Sequence, residues 1–429
     1  MRYLLLLTLL LIATENIAQE LTEKYQQQSV ELITDENFAI DNNWDKIFES
    51  YYDTTFYGKA IGKRKSLFVL DDGSIIVNNI YRNYYTKFDK YGKFENELFI
   101  KKADNSIVKK TTPIMGIINS TYYTNADNMG NILCFDFSGN YIKTIKVQYS
   151  VKQIITLNNN KIALVGWSIW KDKFRDFVAI IDYNTNEESI IWSHFTERKD
   201  SKKSMFNYKY NLKKGNRKPF DKGQIISINT MPYTKYTGYS IPPIIQSINN
   251  KLIIAIPASG EIITYNFDGK QINKIKINWA KNHLSIDEQK KIQKRAMEKY
   301  KQFLNHKISN GATIEESNLA INTILNEMQE DYNSISKPLA IPVFSTIIKD
   351  SDNNLLFFEI SKKSNDNKFN VWIMKNNGEF ASRSSFICKD YNLEINPKKI
   401  FFHNGYIYSL QTKKNASGNP LRLVKFRLQ

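Results

Sequence analysis

The heptapeptide FDKYGKF at residues 88–94 recurs along the chain in modified form. Each copy joins one apolar or aromatic stretch to another through Asp or Asn, usually followed three positions later by Gly. Gly adopts the positive φ that a tight hairpin requires, and Asp or Asn supports the turn with its side chain. The recurrence therefore predicts a series of β-hairpins. The other copies are FDFSGNY (135–141), YNFDGKQ (265–271), MKNNGEF (374–380) and the looser IDYNTNEE (181–188).

A second series of turns lies earlier in each unit than the first series. At each of these turns, a pair of Asn, Asp or Gly residues stands directly before a strand. Another apolar run lies in front of each of these turns. The repeating unit is thus strand, turn, strand, loop, strand, turn, strand, which is the pattern of a four-stranded propeller blade. The second series consists of DDGSIIVN (71–78), NNNKIALVG (158–166), INNKLIIAI (248–256), SDNNLLFFEI (351–360) and FHNGYIYSL (402–410).

Six such units are present, and they average about 45 residues, within the range of propeller repeats. The sequence predicts an all-β, six-bladed β-propeller of four-stranded antiparallel blades over residues 62–429. The second unit is the weakest, since STYYTNADNMG lacks the usual opening turn. A β-sandwich with the same number of strands is the alternative fold. The units span residues 62–105, 112–148, 150–195, 242–279, 343–388 and 397–429.

The last unit is one strand short of a blade, because the chain ends after KIFF, YIYSLQ and LRLVKFRLQ. An open sheet edge is unfavourable, so a strand from the N-terminal extension, residues 19–61, is predicted to complete this blade. The candidate is DTTFYGKAI at residues 53–61.

The run SLFVLDDGSIIVNNIYRNYYTKFDKYGKF (66–94) resembles the first blade of secreted bacterial six-bladed β-propellers related to the NHL and TolB-like repeats. The resemblance covers residues 50–429 apart from two insertions. It implies a ring-shaped fold and an extracytoplasmic location. It implies no single activity, because propellers host many.

The N-terminus has the features of a secretory signal peptide, predicted to span residues 1–18. Arg2 precedes the apolar stretch from Leu4 to Ala13, and cleavage is expected after Ala18. No later stretch is apolar for long enough to span a membrane. The mature protein is therefore expected to be periplasmic or secreted. Cys134 and Cys388 lie inside apolar runs and are expected to be buried, with a disulfide as the less favoured alternative.

The chain carries a net charge of +17. Residues 197–223, within a first insertion at 196–235, hold ten Lys or Arg against three acidic residues. Aromatic residues are interspersed among them, including Tyr208 and Tyr210. Basic and aromatic side chains together can bind polyanions or stack on sugars and bases. A flexible solvated loop is the alternative, because charge runs are often disordered.

A second insertion, residues 281–338, predicts a helical hairpin. Capping boxes at Ser285 with Glu288 and at Thr313 with Glu316 begin two amphipathic stretches, with Gly311 between them. Their apolar stripes are expected to pack on each other and on the propeller, and a free partner-binding groove is the alternative.

Both insertions connect one blade to the next and are expected on the same face as the loops between second and third strands. Binding residues are often carried by loops on a rigid scaffold. The candidate residues named next could equally be ordinary aromatic residues of the strands or of the propeller rim. The candidate ligand-binding residues are Tyr81, Arg82, Tyr84 and Tyr85 in the first blade, Trp167, Trp170 and Arg175 in the third, and Tyr208 and Tyr210 in the first insertion.

No catalytic motif is recognised in the sequence, and its four His residues lack metal-ligand spacing. We therefore expect a non-catalytic module, without a cofactor, that binds an envelope protein, a glycan or another extracellular ligand; nucleic acid is not an expected partner. The alternative is a calcium-dependent, lactonase-like hydrolase with an axial site, for which Asn78, Asn79 and Glu359 stand at plausible strand positions.

Overall fold

The fold is built mainly from antiparallel sheets of four strands, in most of which consecutive strands are hydrogen-bonded neighbours. The computed structural model describes residues 21, 23–48, 65–78, 83–109, 111–125, 131–170, 173–197, 207–210, 224–227, 241–277, 283–308, 322, 325–326, 328–360, 368–393, 399–415 and 420–429.

The first four sheets each pair their strands in chain order. Sheet I contains β2 (Ser66–Val69), β3 (Ile75–Asn78), β4 (Tyr84–Phe88) and β5 (Phe94–Phe99). Sheet II contains β6 (Ile114–Ile118), β7 (Thr121–Asn125), β8 (Ile132–Phe135) and β9 (Tyr141–Ile145). Sheet III contains β10 (Ser150–Thr156), β11 (Lys161–Trp170), β12 (Lys173–Asp182) and β13 (Glu188–Glu197). Sheet IV contains β16 (Ile244–Ile248), β17 (Lys251–Ile256), β18 (Glu261–Asn266) and β19 (Gln271–Lys276).

The C-terminal strands and one N-terminal strand complete the architecture. Sheet V contains β22 (Phe344–Lys349), β23 (Leu355–Glu359), β24 (Lys368–Met374) and β25 (Phe380–Ile387). The terminal sheet contains β27 (Ile400–His403), β28 (Tyr406–Lys413), β29 (Leu421–Leu428) and β1 (Val30–Thr34), and the short β26 (Tyr391–Asn392) also pairs with β28.

Strand β1 takes the fourth position of the terminal sheet by pairing antiparallel with β29. Its first two residues also pair in parallel with β25, so sheet V and the terminal sheet are continuous. An N-terminal strand thus occupies the position that the C-terminal unit leaves open. The segment 53–61 that the sequence suggested lies outside the described residues.

Two insertions follow sheets III and IV. The first contains a two-stranded hairpin of β14 (Asn207–Tyr210) and β15 (Gln224–Ser227). The second is bounded by the pair β20 (His283–Leu284) and β21 (Leu339–Ala340). It contains helix α2 (Ile286–Ile308), whereas the short helix α1 (Trp44–Ile47) lies before sheet I.

The predicted capping box at the start of α2 is present. The Glu288 amide donates to Ser285 Oγ at 3.1 Å, and the Ser285 amide donates to a Glu288 carboxylate oxygen at 2.7 Å. The buried Gln293 side chain donates to the carbonyl of Met328, which is itself buried. Helix α2 therefore packs against the later part of the insertion, while Gly311, Thr313 and Glu316 lie outside the described residues.

The recurring hairpins have one common hydrogen-bond pattern. The Asp89 side chain accepts from the amides of Tyr91 and Lys93, and Asp136 accepts from Ser138 and Asn140 in the same way. The turn glycine adopts positive φ, as at Gly139 with φ 83°. The predicted hairpins are thus confirmed together with their physical cause, a side-chain oxygen that caps the turn amides.

Apolar residues fill the spaces between neighbouring sheets rather than one central core. Separate clusters of buried side chains lie between sheets I and II, II and III, III and IV, IV and V, V and the terminal sheet, and the terminal sheet and I. Cys134 and Cys388 are buried and free within two of these clusters. The predicted all-β, propeller-like fold of four-stranded antiparallel sheets is confirmed.

Neighbouring sheets also contact each other through their hairpin glycines. A Cβ atom added at Gly139 in sheet II would overlap the carbonyl oxygen of Phe99 in sheet I, whereas nothing lies within 4 Å of a Cβ at Gly378. Both residues have positive φ. Comparing Gly139 with Gly378 therefore separates the cost of placing another residue at positive φ from the cost of steric overlap with the neighbouring sheet.

We predict that Gly139→Ala destabilises the protein more than Gly378→Ala. The conformational strain alone should cost about 1–2 kcal/mol in Gly378→Ala. Gly139→Ala adds overlap with backbone and should cost roughly 3 kcal/mol in total. Urea unfolding of the two variants measures the difference, and equal losses would contradict the inter-sheet contact.

Candidate functional site

Sheet III extends further than the other sheets at one end. Its second, third and fourth strands are each 10 residues long, compared with 6 residues in sheet IV. At about 3.3 Å per residue, four additional residues add roughly 13 Å. The buried part of the sheet ends near Val165 and Phe177. The projecting end, residues 166–170, 173–177 and 192–197, is called the rim of sheet III.

Both insertion-bearing connections leave from this type of sheet end. In sheet III, Trp170 pairs with Lys173, and Lys173 pairs with Glu197, the last residue of β13. The loop between the second and third strands and the start of the first insertion are therefore adjacent. The chain enters the basic insertion from the last strand of the rim, after Glu197.

One face of the rim holds a guanidinium between two aromatic rings. Arg175 pairs with Phe195 across β12 and β13. The Arg175 guanidinium carbon lies 5.2 Å from the ring centroid of Phe177 and 5.5 Å from that of Phe195. The Phe177 ring is buried and meets Tyr149 edge-to-face, whereas Phe195 is 44% exposed. Cation–π contacts of this kind hold a positive charge at an accessible surface.

The opposite face carries a second cation beside a Trp ring. Trp167 pairs with Asp176, which pairs with His194, so alternation places these residues on the face opposite to Arg175. Lys152 Nζ lies 5.5 Å from the Trp167 ring centroid. Burial raises the pKa of the Asp176 carboxyl, and the nearby His194 and Lys152 act in the opposite direction. Trp192 stacks on His194.

This arrangement can hold an anionic or apolar group at either face of the rim. The two faces present cations on aromatic rings, and Arg and Trp are the residues most often found at binding hot spots. Among the described residues, no group of three or more His, Cys, Asp or Glu side chains could hold a metal ion. In the same part of the chain, no helix is long and apolar enough to cross a membrane.

The structure brings together two of the predicted site residues, Trp167 and Arg175, in the rim of sheet III. Tyr84 lies in sheet I, where its ring packs 5.4 Å from that of Phe99. Tyr85 is buried and donates to the Thr112 carbonyl. The remaining predicted side chains lie outside the described residues; these are Tyr81, Arg82, Trp170, Tyr208 and Tyr210.

The two described residues considered as calcium ligands are each engaged by neighbouring side chains. Asn78 in sheet I donates to Thr111 Oγ1 at 2.7 Å, and Asn79 lies outside the described residues. Glu359 in sheet V accepts from Trp372 Nε1 at 2.5 Å and is ion-paired with Arg383 at 2.9 Å. Its carboxylate is thus engaged by neighbours in its own sheet.

Sequence reasoning missed Phe195, Asp176 and Lys152. The signal lay in the length of the runs KFRDFVAIID and ESIIWSHFTE, which continue beyond the four to eight residues of the strands in the other four-stranded sheets. Placing their polar and aromatic residues on a face required the register between β12 and β13, which includes an irregularity between Val178 and Ala179.

A separate cavity of about 720 Å³ lies beside the terminal sheet. It is lined by both acidic and basic side chains, including Glu36, Asp390, Lys413 and Arg422. Arg422 lies over the ring of Trp44 and donates to the Leu421 carbonyl. The mixed charge of this cavity does not indicate the chemistry of a ligand.

No family model matches this chain, and no curated protein matches it. It is similar to a solved member of the DUF4221 family from Bacteroides vulgatus, with 13% identity and a TM-score of 0.48, over 94% of this chain and 99% of that one. A candidate exported protein from Bacteroides fragilis has 10% identity and a TM-score of 0.40, over 86% and 96% of the two chains. BamB from Moraxella catarrhalis has 8% identity and a TM-score of 0.29, over 84% and 83%.

These three similarities are too distant for any property of those proteins to be transferred to this chain. The resemblance to NHL and TolB-like repeats therefore remains a prediction.

We predict that Asp176→Asn becomes more stable than the parent protein as the pH rises. An unfolded Asp has a pKa of about 3.9, and burial raises the folded pKa above that value. Folding therefore favours the protonated form, and the parent protein loses stability as the pH rises between the two pKa values. The difference should be small at pH 3 and favour the variant at pH 7, as measured by urea unfolding.

Asp182→Asn provides a control of opposite sign. Hydrogen bonds from the backbone amides of Thr185 and Asn184 lower the pKa of Asp182. Its variant should lose stability relative to the parent protein as the pH rises. The same pH dependence in both variants would contradict the assignment.

Proposed function

We propose that the chain is an exported, six-bladed β-propeller closed by β1 and that it acts as a non-catalytic binding module. The first strands of successive sheets contact one another in the order β2, β6, β10, β16, β22 and β27, and β27 contacts β2. An apolar cluster also lies between the terminal sheet and sheet I. These contacts support a ring, and the N-terminal sequence supports export.

A ring of this kind would place the rim of sheet III and the helical insertion on one face. In each antiparallel sheet the loop between second and third strands lies at the same end as the exit from the fourth strand. The exits from sheets III and IV lead into the two insertions. The proposed binding surface is therefore this insertion-bearing face, with the rim of sheet III at its centre.

One observation supports the binding function most strongly. The rim of sheet III projects beyond the buried part of the sheet, and each of its faces has a cation packed against an aromatic ring. A strand end that only closed the fold would need neither the additional length nor the half-exposed rings. Loops and strand ends on a rigid scaffold are the usual positions of binding residues. The ligand classes are an envelope protein, a glycan or another extracellular molecule.

We predict that Trp167→Ala combined with Phe195→Ala strongly reduces ligand retention. The mature protein, residues 19–429, is immobilised and exposed to envelope extract from cells that produce it, and retained proteins and glycans are identified by mass spectrometry. Removing two hot-spot rings should weaken binding by at least roughly tenfold. Titration of the identified ligand against both forms measures the loss.

Phe137→Ala provides a matched control, because Phe137 is an exposed aromatic residue, 52% accessible, in the hairpin turn of sheet II. It should retain the ligand as the parent protein does. Retention that is unchanged in the rim variant, or lost equally in the control, would refute the rim as the binding surface.

A further inference from the structure

Within the described residues, the Arg175 side chain contacts aromatic rings but no polar partner. Among the described residues, its guanidinium has no ion-pair partner, and its Nε atom is buried without a hydrogen-bond partner. A buried donor without a partner costs free energy, so such an atom requires an explanation.

Two other arginines that lie over aromatic rings are satisfied by the protein itself. Arg383 lies 5.3 Å from the Trp372 ring centroid and is ion-paired with Glu359. Arg422 lies 5.7 Å from the Trp44 centroid and donates to the Leu421 carbonyl at 2.8 Å. Among the described residues, Arg175 has the same aromatic support but no hydrogen-bond acceptor. Because its Nε atom is buried, the two terminal nitrogens are the donors that an external group can reach.

The surroundings of Arg175 fix its position. Gly166 pairs with Phe177 in the neighbouring strand, and a Cβ atom at Gly166 would overlap the Phe177 ring. The ring therefore lies flat against the sheet beneath the guanidinium. Tyr149 packs against the same ring, and its hydroxyl donates to Glu188 at 2.8 Å. The lower side of the guanidinium is thus held by the protein, and the exposed Phe195 ring lies next to it.

We propose that Arg175 binds the carboxylate of an acidic polysaccharide. This inference rests on the proposed function, because it specifies the ligand of the same surface. A guanidinium pairs with a planar carboxylate through two parallel hydrogen bonds. The exposed ring of Phe195 offers a flat apolar surface for the C–H face of the same sugar ring.

A polymer fits this surface better than a small ligand does. The rim is an open strand end, and Lys152 beside Trp167 places a second cation on its opposite face. A chain with a carboxylate on successive sugars is also attracted by the net charge of +17, in addition to the specific contact at Arg175.

The test uses polygalacturonate as the probe and its methyl-esterified form as the matched neutral polymer. Affinity is measured at one fixed ionic strength for the mature protein, since exposed charges are screened by salt. The parent protein should bind polygalacturonate, and methyl esterification should remove that binding. Binding of both polymers with equal affinity would overturn the inference.

Variants at Arg175 separate a specific contact from general charge attraction. Arg175→Ala should weaken binding by roughly tenfold or more, and Arg175→Lys should restore only part of it, because Lys keeps the charge without the planar fork. Lys90→Ala is the control, since Lys90 Nζ also lies over an aromatic ring, 5.1 Å from the Tyr91 centroid, in the hairpin of sheet I. Equal losses in Arg175→Ala and Lys90→Ala would overturn the inference.

A single-stranded DNA oligomer serves as a second anionic polymer. If Arg175→Ala weakens DNA and polygalacturonate equally, the site binds polyanions in general and the assignment to a polysaccharide is wrong. If polygalacturonate does not bind while the sheet III rim still retains a partner from envelope extract, the inference fails and the proposed function stands.

Discussion

The pairing of β1 with β29 joins an N-terminal strand to the last strand of the chain, and β1 also pairs with β25 of sheet V. The amide of Glu31 donates to the Gln429 carbonyl at 2.8 Å, and the Gln429 amide donates back to Glu31 at 2.9 Å. Val30 and Leu32 are buried in the cluster that also contains Phe386 and Phe426. Without β1, the outer edges of both β25 and β29 would lack a strand partner, and open edges favour aggregation. The N-terminal segment is further fixed by Tyr25, whose buried hydroxyl donates to Asp350 at 3.0 Å.

Packing on both faces of sheet III explains why its rim can extend without losing its shape. The lower part of the sheet is fixed on both faces by the clusters that it shares with sheets II and IV. Side chains also link the first strands of successive sheets, as when Gln153 exchanges two hydrogen bonds with the backbone of Ile245. The projecting residues therefore begin from a rigid base. A preorganised surface loses less conformational entropy when it binds, which favours affinity.

The sequence predicted the repeated elements better than the long-range contacts. The hairpins followed from local chemistry, because Asp89 and Asp136 cap turns within four residues of themselves. The weak opening turn of the second unit is formed by Asn119 and Ser120, both at positive φ. It was hard to recognise in the sequence because Ser120 stands where the other units have Asn, Asp or Gly. Trp167 and Arg175 were found because aromatic and basic residues stand out near loops. The position of β1 and the rings around Arg175 depend on pairing between distant or neighbouring strands, which single runs of residues do not specify.

Hydrogen–deuterium exchange of residues 19–429 tests the proposed ring closure most directly. The amides of Glu31, Asp35 and Gln429 each donate to a carbonyl in the β1–β29 pairing. In a closed ring these amides should be protected as strongly as the central strands of sheets III and IV, since they would exchange only when the ring opens. Exchange at the rate of an unstructured chain, while those central strands remain protected, would show that β1 does not close the fold and would contradict the account.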